Sequence, residues 1–126
     1  MALEAGLTAA FDHVVGSEHT AIARGSGDVE VLATPQVLAW CEGASAAAVS
    51  PALDAGETSV GMRIKFDHLR ATPVGATVSV HAELTRVEGR RLTFDVVATD
   101  GAGEIATGQI VRVVVDRARF MERAQG

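Results

Sequence analysis

Tyrosine is absent from this chain, and aromatic side chains are limited to four phenylalanines and one tryptophan. That scarcity leaves no platform on which nucleobases could stack. Basic residues are few as well: 11 Lys and Arg stand against 16 Asp and Glu, with no cluster beyond Arg90-Arg91. A net charge of −5 without a basic stripe to neutralise phosphates argues against a nucleic-acid partner. The single cysteine, Cys41, excludes an intrachain disulfide and fits a reducing compartment. No apolar run approaches the roughly 20 residues needed to cross a bilayer. The opening Met-Ala-Leu-Glu-Ala-Gly lacks the basic and apolar regions of a signal peptide. The expectation is a cytoplasmic protein with no membrane partner.

Several motifs are missing too. There is no Gly-x-Ser-x-Gly nucleophile elbow. Gly25-x-Gly27 lacks the third glycine and the following helix of a dinucleotide loop. His13, His19 and His81 show no metal-ligand spacing with one another or with Cys41, so no metal site is expected. Cys41 has no evident activating base and reads as packing.

What is present is a chain of 126 residues, 48% of them hydrophobic, which predicts one globular domain over residues 1–126. Its apolar content leans on Ala and Val, which suit close packing of a helix on a sheet. A domain this small gains from oligomerisation, because it buries a smaller share of its own surface.

The pattern predicts one helix followed by a run of strands. A strand is expected near Leu7–Val15, then another extended piece near Thr20–Arg24 and a loop at Gly25-Ser26-Gly27-Asp28. Thr34-Pro35 reads as an N-cap with proline at the first helical position. The helix should run to Val49, before Ser50-Pro51, since proline pushes the preceding residue out of the helical region. At about 100° per residue, Leu38, Glu42, Ser45 and Val49 share the face expected to be buried. From Thr58 the period changes to two. Val60, Met62, Ile64, Phe66 and His68 should point one way, with Ser59, Arg63, Lys65 and Asp67 opposite. Thr77–Thr85, Leu92–Thr99 and Ile105–Val115 follow as strands, joined by hairpin turns at Glu88-Gly89 and Asp100-Gly101. Hairpin-linked strands after one helix argue for an antiparallel α+β sheet curled around that helix. Pairing with a second copy would satisfy every element.

Three polar residues sit where the pattern expects packing. Glu42 on a buried helix face is costly unless it is paired; a slightly rotated helix would instead leave it at the surface. His68 closes a strand in phase with apolar residues and is either a satisfied structural group or a general acid–base near neutral pH. Thr34 is fully explained as an N-cap, yet a hydroxyl beside the free N–H groups of a helix could also bind an oxyanion. Thr34 and Glu42 are separated by about 12 Å of helical rise, so both reach one reacting atom only if the substrate lies along the helix or a facing subunit contributes.

Three blocks, in order and spanning roughly residues 7 to 120, carry a family resemblance. They are Val31-Leu32-Ala33-Thr34-Pro35 running to Glu42-Gly43-Ala44; Gly61-x6-His68-x3-Thr72-Pro73-x-Gly75; and Ala82-Glu83-Leu84-x2-Val87-Glu88-Gly89-Arg90-Arg91-Leu92, continuing into Asp100-Gly101 and Glu104-Ile105. This sequence resembles the fluoroacetyl-CoA thioesterase family of hotdog-fold proteins. The resemblance implies a hotdog fold, a homodimer or dimer of dimers, and hydrolysis of an acyl-CoA thioester with no cofactor beyond the CoA of the substrate. It also implies Thr34, Glu42 and His68 as catalytic residues, with Gly61 and Arg112 contacting the acyl group. Arg112 is notable in itself, being in phase with Ile110 and Val114 on an apolar strand. One departure stands out. Family members dedicated to fluoroacetyl-CoA carry aromatic residues shortly before the threonine, whereas Gly25–Leu32 contains none. The expected substrate is therefore a short or otherwise modified acyl-CoA. A hotdog hydratase is disfavoured, because its Asp and His are typically five positions apart and Asp67 and His68 are adjacent. The remaining rival is an acyl-CoA-binding protein without turnover.

Overall fold

The structure is a computed structural model and describes residues 2–126. Strand β1 (Thr8–Val14) leads through a turn at Ser17–His19 into a short helix α1 (Ala21–Arg24). The long helix α2 (Thr34–Val49) follows, then β2 (Glu57–His68), β3 (Thr77–Glu88), β4 (Arg91–Asp100), β5 (Gly103–Asp116) and a terminal helix α3 (Arg117–Ala124). All strand pairings are antiparallel, in the order β1-β3-β4-β5-β2. Since β1 and β2 form opposite edges, the segment joining them must cross a face of the sheet. Helix α2 makes that crossing, packed mainly over β3 and β1.

The alternating pattern of the central strands explains the core. Val78, Val80, Ala82 and Leu84 of β3 meet Leu92, Phe94, Val96 and Ala98 of β4 on the helix side, all buried. Each large side chain fully buried there contributes about 1.5–3 kcal/mol of transfer free energy. From the helix, Val37, Cys41, Ala44 and Ala48 form the seam, at i, i+4 and i+3 spacing. Their small volume lets the backbone lie close to the sheet. Burial pushes the Cys41 thiol up to about 12, consistent with its packing role.

Several expectations are corrected. Thr20–Arg24 is not extended: Thr20 caps α1 by accepting the Ala23 N–H at 3.2 Å, and Gly25 at φ +71° closes it in the left-handed region. Of the face of α2 expected to be buried, Ser45 and Val49 are fully buried. Val37, Cys41 and Ala48 take the rest of the core, so Leu38 and Glu42 lie half-buried on its flank. Strands β3, β4 and β5 run one to three residues beyond the expected ends, because bulges at Leu84/Arg86 and Ala98/Thr99 let pairing continue. Helix α3 was not anticipated; Asp116 caps it by accepting the Arg119 N–H at 2.9 Å. Among the described residues, no helix is long and apolar enough to cross a membrane.

Candidate active site

The first functional group forms where α2 begins. Ala33, not Thr34, is the N-cap, and Thr34 is the first helical residue. The expected cap is therefore corrected by one position: the Ala33 backbone is extended (φ −70°, ψ 140°) and leads directly into the helix. Freed from capping, the Thr34 hydroxyl lies 2.7 Å from His68 Nδ1. His68 reaches it from the end of β2, on the helix side of the sheet. Its Nε2 is buried and has no hydrogen-bond partner among the described residues, which is unusual for a buried polar atom. Burial lowers the His68 pKa from its usual 6.5, with the Arg70 backbone acting the other way, so the ring is mainly neutral at pH 7. Beside the pair opens a cavity of about 330 Å³, walled by Ser26–Val29 of the preceding loop and by Leu69–Ala71. Asp67 lines a different cavity on the opposite sheet face, with His81 and Asp95. Adjacent strand residues point to opposite faces, so Asp67 and His68 do not share a site.

The second group forms around Glu42, a little over two turns along the helix. Its carboxylate Oε2 lies 3.7 Å from Nη1 of Arg112, whose side chain is only 10% exposed against 33% for Glu42. Arg112 extends from β5 toward the helix, between Ile110 and Val114. Its Nε donates to Ser59 Oγ and its Nη2 to the Ser59 carbonyl, both at 2.8 Å. Burial lowers the Arg112 pKa and the Glu42 carboxylate opposes this; a guanidinium remains charged regardless. Gly61 faces the same spot: a Cβ there would lie 2.9 Å from Glu42 Oε2. Only a residue without a side chain leaves this carboxylate its present position.

The bulge between Gly61 and Arg63 corrects the expected alternation of β2. Met62 is the extra residue, and beyond it the phase of the strand inverts. Ser59 and Gly61, not Val60 and Met62, therefore share the helix side with Ile64, Phe66 and His68. Gly61 pairs with Arg112, and His68 pairs with Ala106. Uninterrupted alternation had put Ser59 on the outer face, so its contact with Arg112 was missed. The available signal was Gly61 itself, since glycine inside a strand commonly marks a bulge or a close approach.

All five expected site residues thus border α2, but in two groups: Thr34 with His68, and Glu42 with Gly61 and Arg112. About 12 Å of helical rise separates them. Sequence reasoning also missed what supports the first group. Trp40 stacks on His13 at 4.4 Å and receives the edge of His19 at 4.9 Å. His19 Nδ1 accepts the Gly16 N–H at 2.9 Å, and its carbonyl accepts the Ala33 N–H at 2.9 Å. The turn before α1 is thereby tied both to the helix flank and to the residue preceding Thr34.

The chain is similar to known proteins over most of its length. A family model described as fluoroacetyl-CoA-specific thioesterase matches residues 15–118. A fluoroacetyl-CoA thioesterase of Streptantibioticus cattleyicolor is 45% identical over 91 residues, which span 72% of this chain and 66% of that relative. A crystal structure of the fluoroacetyl-CoA thioesterase FlK superposes with a TM-score of 0.92 at 35% identity, covering 99% of this chain and 97% of that one. A hot-dog-like protein from Thermanaerovibrio acidaminovorans superposes with a TM-score of 0.89 at 26% identity, over 98% and 91% of the two chains. The fold is the hotdog arrangement of one helix on an antiparallel sheet.

Proposed function

From the premise that the chain belongs to the fluoroacetyl-CoA-specific thioesterase family, we propose that it hydrolyses a short or modified acyl-CoA to the free acid and CoA. The observation that carries this reading is the Thr34–His68 contact at 2.7 Å with a buried, unpartnered His68 Nε2. Thr34 and the free N–H groups of the α2 N-terminus hold the thioester carbonyl, where negative charge develops as it is attacked. Glu42 either adds to the carbonyl carbon or removes a proton from the attacking water. On the water route the C–S bond then breaks, and the proton taken from that water passes through His68 to the departing thiolate. On the covalent route thiolate loss leaves an acyl–Glu42 anhydride, which a water hydrolyses to the free acid, its proton reaching the thiolate through His68. Arg112 and Gly61 border the acyl group. The reaction needs no cofactor beyond the CoA of the substrate, and the cytoplasm, where we place the protein, is a fitting compartment for it.

The separation of the two groups calls for a second copy of the chain. Strand β2 is an edge, so one side of its backbone has no partner within the sheet. Met62 and Ile64 on it are 43% and 40% exposed. A two-fold axis between Ile64 and Lys65 would pair β2 antiparallel with the same strand of a partner. That pairing sets the Gly61 end of one protomer against the His68 end of the other. Each active site then takes Thr34 and His68 from one chain, and Glu42, Gly61 and Arg112 from the other.

The acyl group need not be fluorinated. Gly25–Glu30 is exposed and contains no aromatic side chain to close over the cavity at Thr34, so selection rests on the cavity itself.

The test is release of free thiol from a panel of acyl-CoAs, with Glu42→Gln and His68→Ala as controls. Turnover in the wild type and its loss in both variants is expected; saturable binding without CoA release would overturn the enzyme reading. Mixing two inactive variants, Thr34→Val and Glu42→Gln, tests the shared site. Heterodimers regain one intact site, so random mixing should restore about a quarter of wild-type sites. No recovery, with subunit exchange verified by mass, would confine each site to one chain.

A further inference from the structure

We infer that Ser59 is a positioning residue of this active site, acting through Arg112, and that its task is to keep the guanidinium from pairing fully with Glu42. The inference rests on the thioesterase reading above and adds a residue to it.

Arg112 and Glu42 are close and oppositely charged, and both are at least partly withdrawn from water. Left to itself, an arginine beside a carboxylate forms a two-pronged pair with N–O separations near 2.8 Å. Here the pair is not made. The nearest approach is 3.7 Å, through Nη1 alone, which is longer than a hydrogen bond. The reason is visible on the far side of the guanidinium. Its Nε and Nη2 edge, one of the two edges able to grip a carboxylate, is occupied by the hydroxyl and carbonyl of Ser59. Two bonds at 2.8 Å fix the plane and rotation of the group, and Nη1 is left to face Glu42 and Gly61. The bulge after Gly61 makes this possible by turning Ser59 to the helix side.

The consequence is chemical. A carboxylate whose oxygens are both engaged by arginine is a poor nucleophile and a poor base. One held at 3.7 Å from the cation keeps its lone pairs for water or for the thioester, while still feeling the positive charge. The other charged groups near α2 do not compete: Glu57 is paired with Arg90 at 3.2 Å, His13 stacks on Trp40, and His68 bonds Thr34. The inward side chains of β3 and β4 are apolar.

The test is a double-mutant cycle on kcat and KM for an acyl-CoA that the wild type turns over, with melting temperatures measured alongside. Ser59→Ala should lower kcat about tenfold, with KM changed less than about threefold, because the lost contact orients a catalytic group. Ser59→Thr keeps the hydroxyl, suits a strand, and should restore kcat to within about twofold. In an Arg112→Gln background, Ser59→Ala should have no further effect, since the residue through which it acts is gone. Wild-type kcat in Ser59→Ala, additive losses in the double variant, or failure of Ser59→Thr to rescue would each overturn the inference. If Ser59→Ala does not fold, comparing Ser59→Thr with Ser59→Val, which differ by the hydroxyl alone, decides the matter in the same way. If the wild type itself releases CoA from no thioester, the thioesterase reading falls, and that outcome is distinct from an active wild type matched by Ser59→Ala.

Discussion

Replacing Thr34 by valine separates the two roles that a threonine at the start of a helix can play. If Thr34 were the cap, its loss would cost about 1 kcal/mol and up to 2, because an N–H of the first turn would lose its partner. In the structure Ala33 occupies the cap position and the Thr34 hydroxyl bonds only His68. Valine keeps the branched shape and removes a single exposed hydrogen bond, worth about 0.5–1 kcal/mol net. For a chain of this size that lowers the melting temperature by roughly 2–5 °C. Activity should respond on another scale. The hydroxyl meets both the helix N-terminus and His68, so its removal takes away a donor to the carbonyl and the group that fixes the imidazole. Losses of about 10²–10³ in kcat are typical when a preorganised donor of this kind is deleted, or about 3–4 kcal/mol of barrier. The assays are thermal melting by circular dichroism and thiol release at saturating acyl-CoA, on the same preparation. A drop of 10 °C or more with kcat within threefold of wild type would show that Thr34 is structural and would refute the catalytic assignment.

The remaining predictions concern the groups around it. Gly61→Ala puts a methyl 2.9 Å from Glu42 Oε2, so the carboxylate must swing away; kcat should fall at least tenfold while secondary structure is retained, and an unchanged kcat would show that Glu42 need not hold this position. His13 and His68 are both held below the usual 6.5, in each case chiefly by burial, with His19 adding to the effect at His13. Each therefore binds fewer protons folded than unfolded, and the stability they supply is complete above about pH 6.5 and lost as the pH falls below it toward the depressed folded values. Urea midpoints should drop between about pH 7.5 and 5.5, and the His13→Gln/His68→Gln double variant should show a shallower dependence; an identical slope would contradict the burial argument. If hydrolysis needs neutral His68, activity should also persist to a pH somewhat below 6.5 before declining.

Much of this protein could be read along the chain, because local patterns govern it. Period-two alternation located β3, β4 and β5, since a strand's side chains have only two faces to choose between. Thr34-Pro35 and Ser50-Pro51 bracketed α2 to within a residue, although Ser50 is not pushed out of the helical region: it keeps φ −49° and ψ −44°, and the chain runs on as one 3-10 turn, Ser50–Ala52. The family resemblance also supplied Thr34, Glu42, His68 and Gly61 within its blocks, and Arg112 beyond them. Tertiary structure decided the rest. Whether α2 buries Cys41 or Leu38 depends on a rotation of some tens of degrees, which its near-uniform Ala and Ser composition does not fix. One extra residue at Met62 inverted half of β2 and moved Ser59 onto Arg112, an effect that alternation cannot register unless the bulge is known. The short helix after Thr20 and the release of the Thr34 hydroxyl from capping rest on single hydrogen bonds between particular atoms. Above all, tertiary structure decided which residues meet: β2 and β5, paired with Gly61 opposite Arg112, bring both to Glu42, while the end of β2 brings His68 to Thr34.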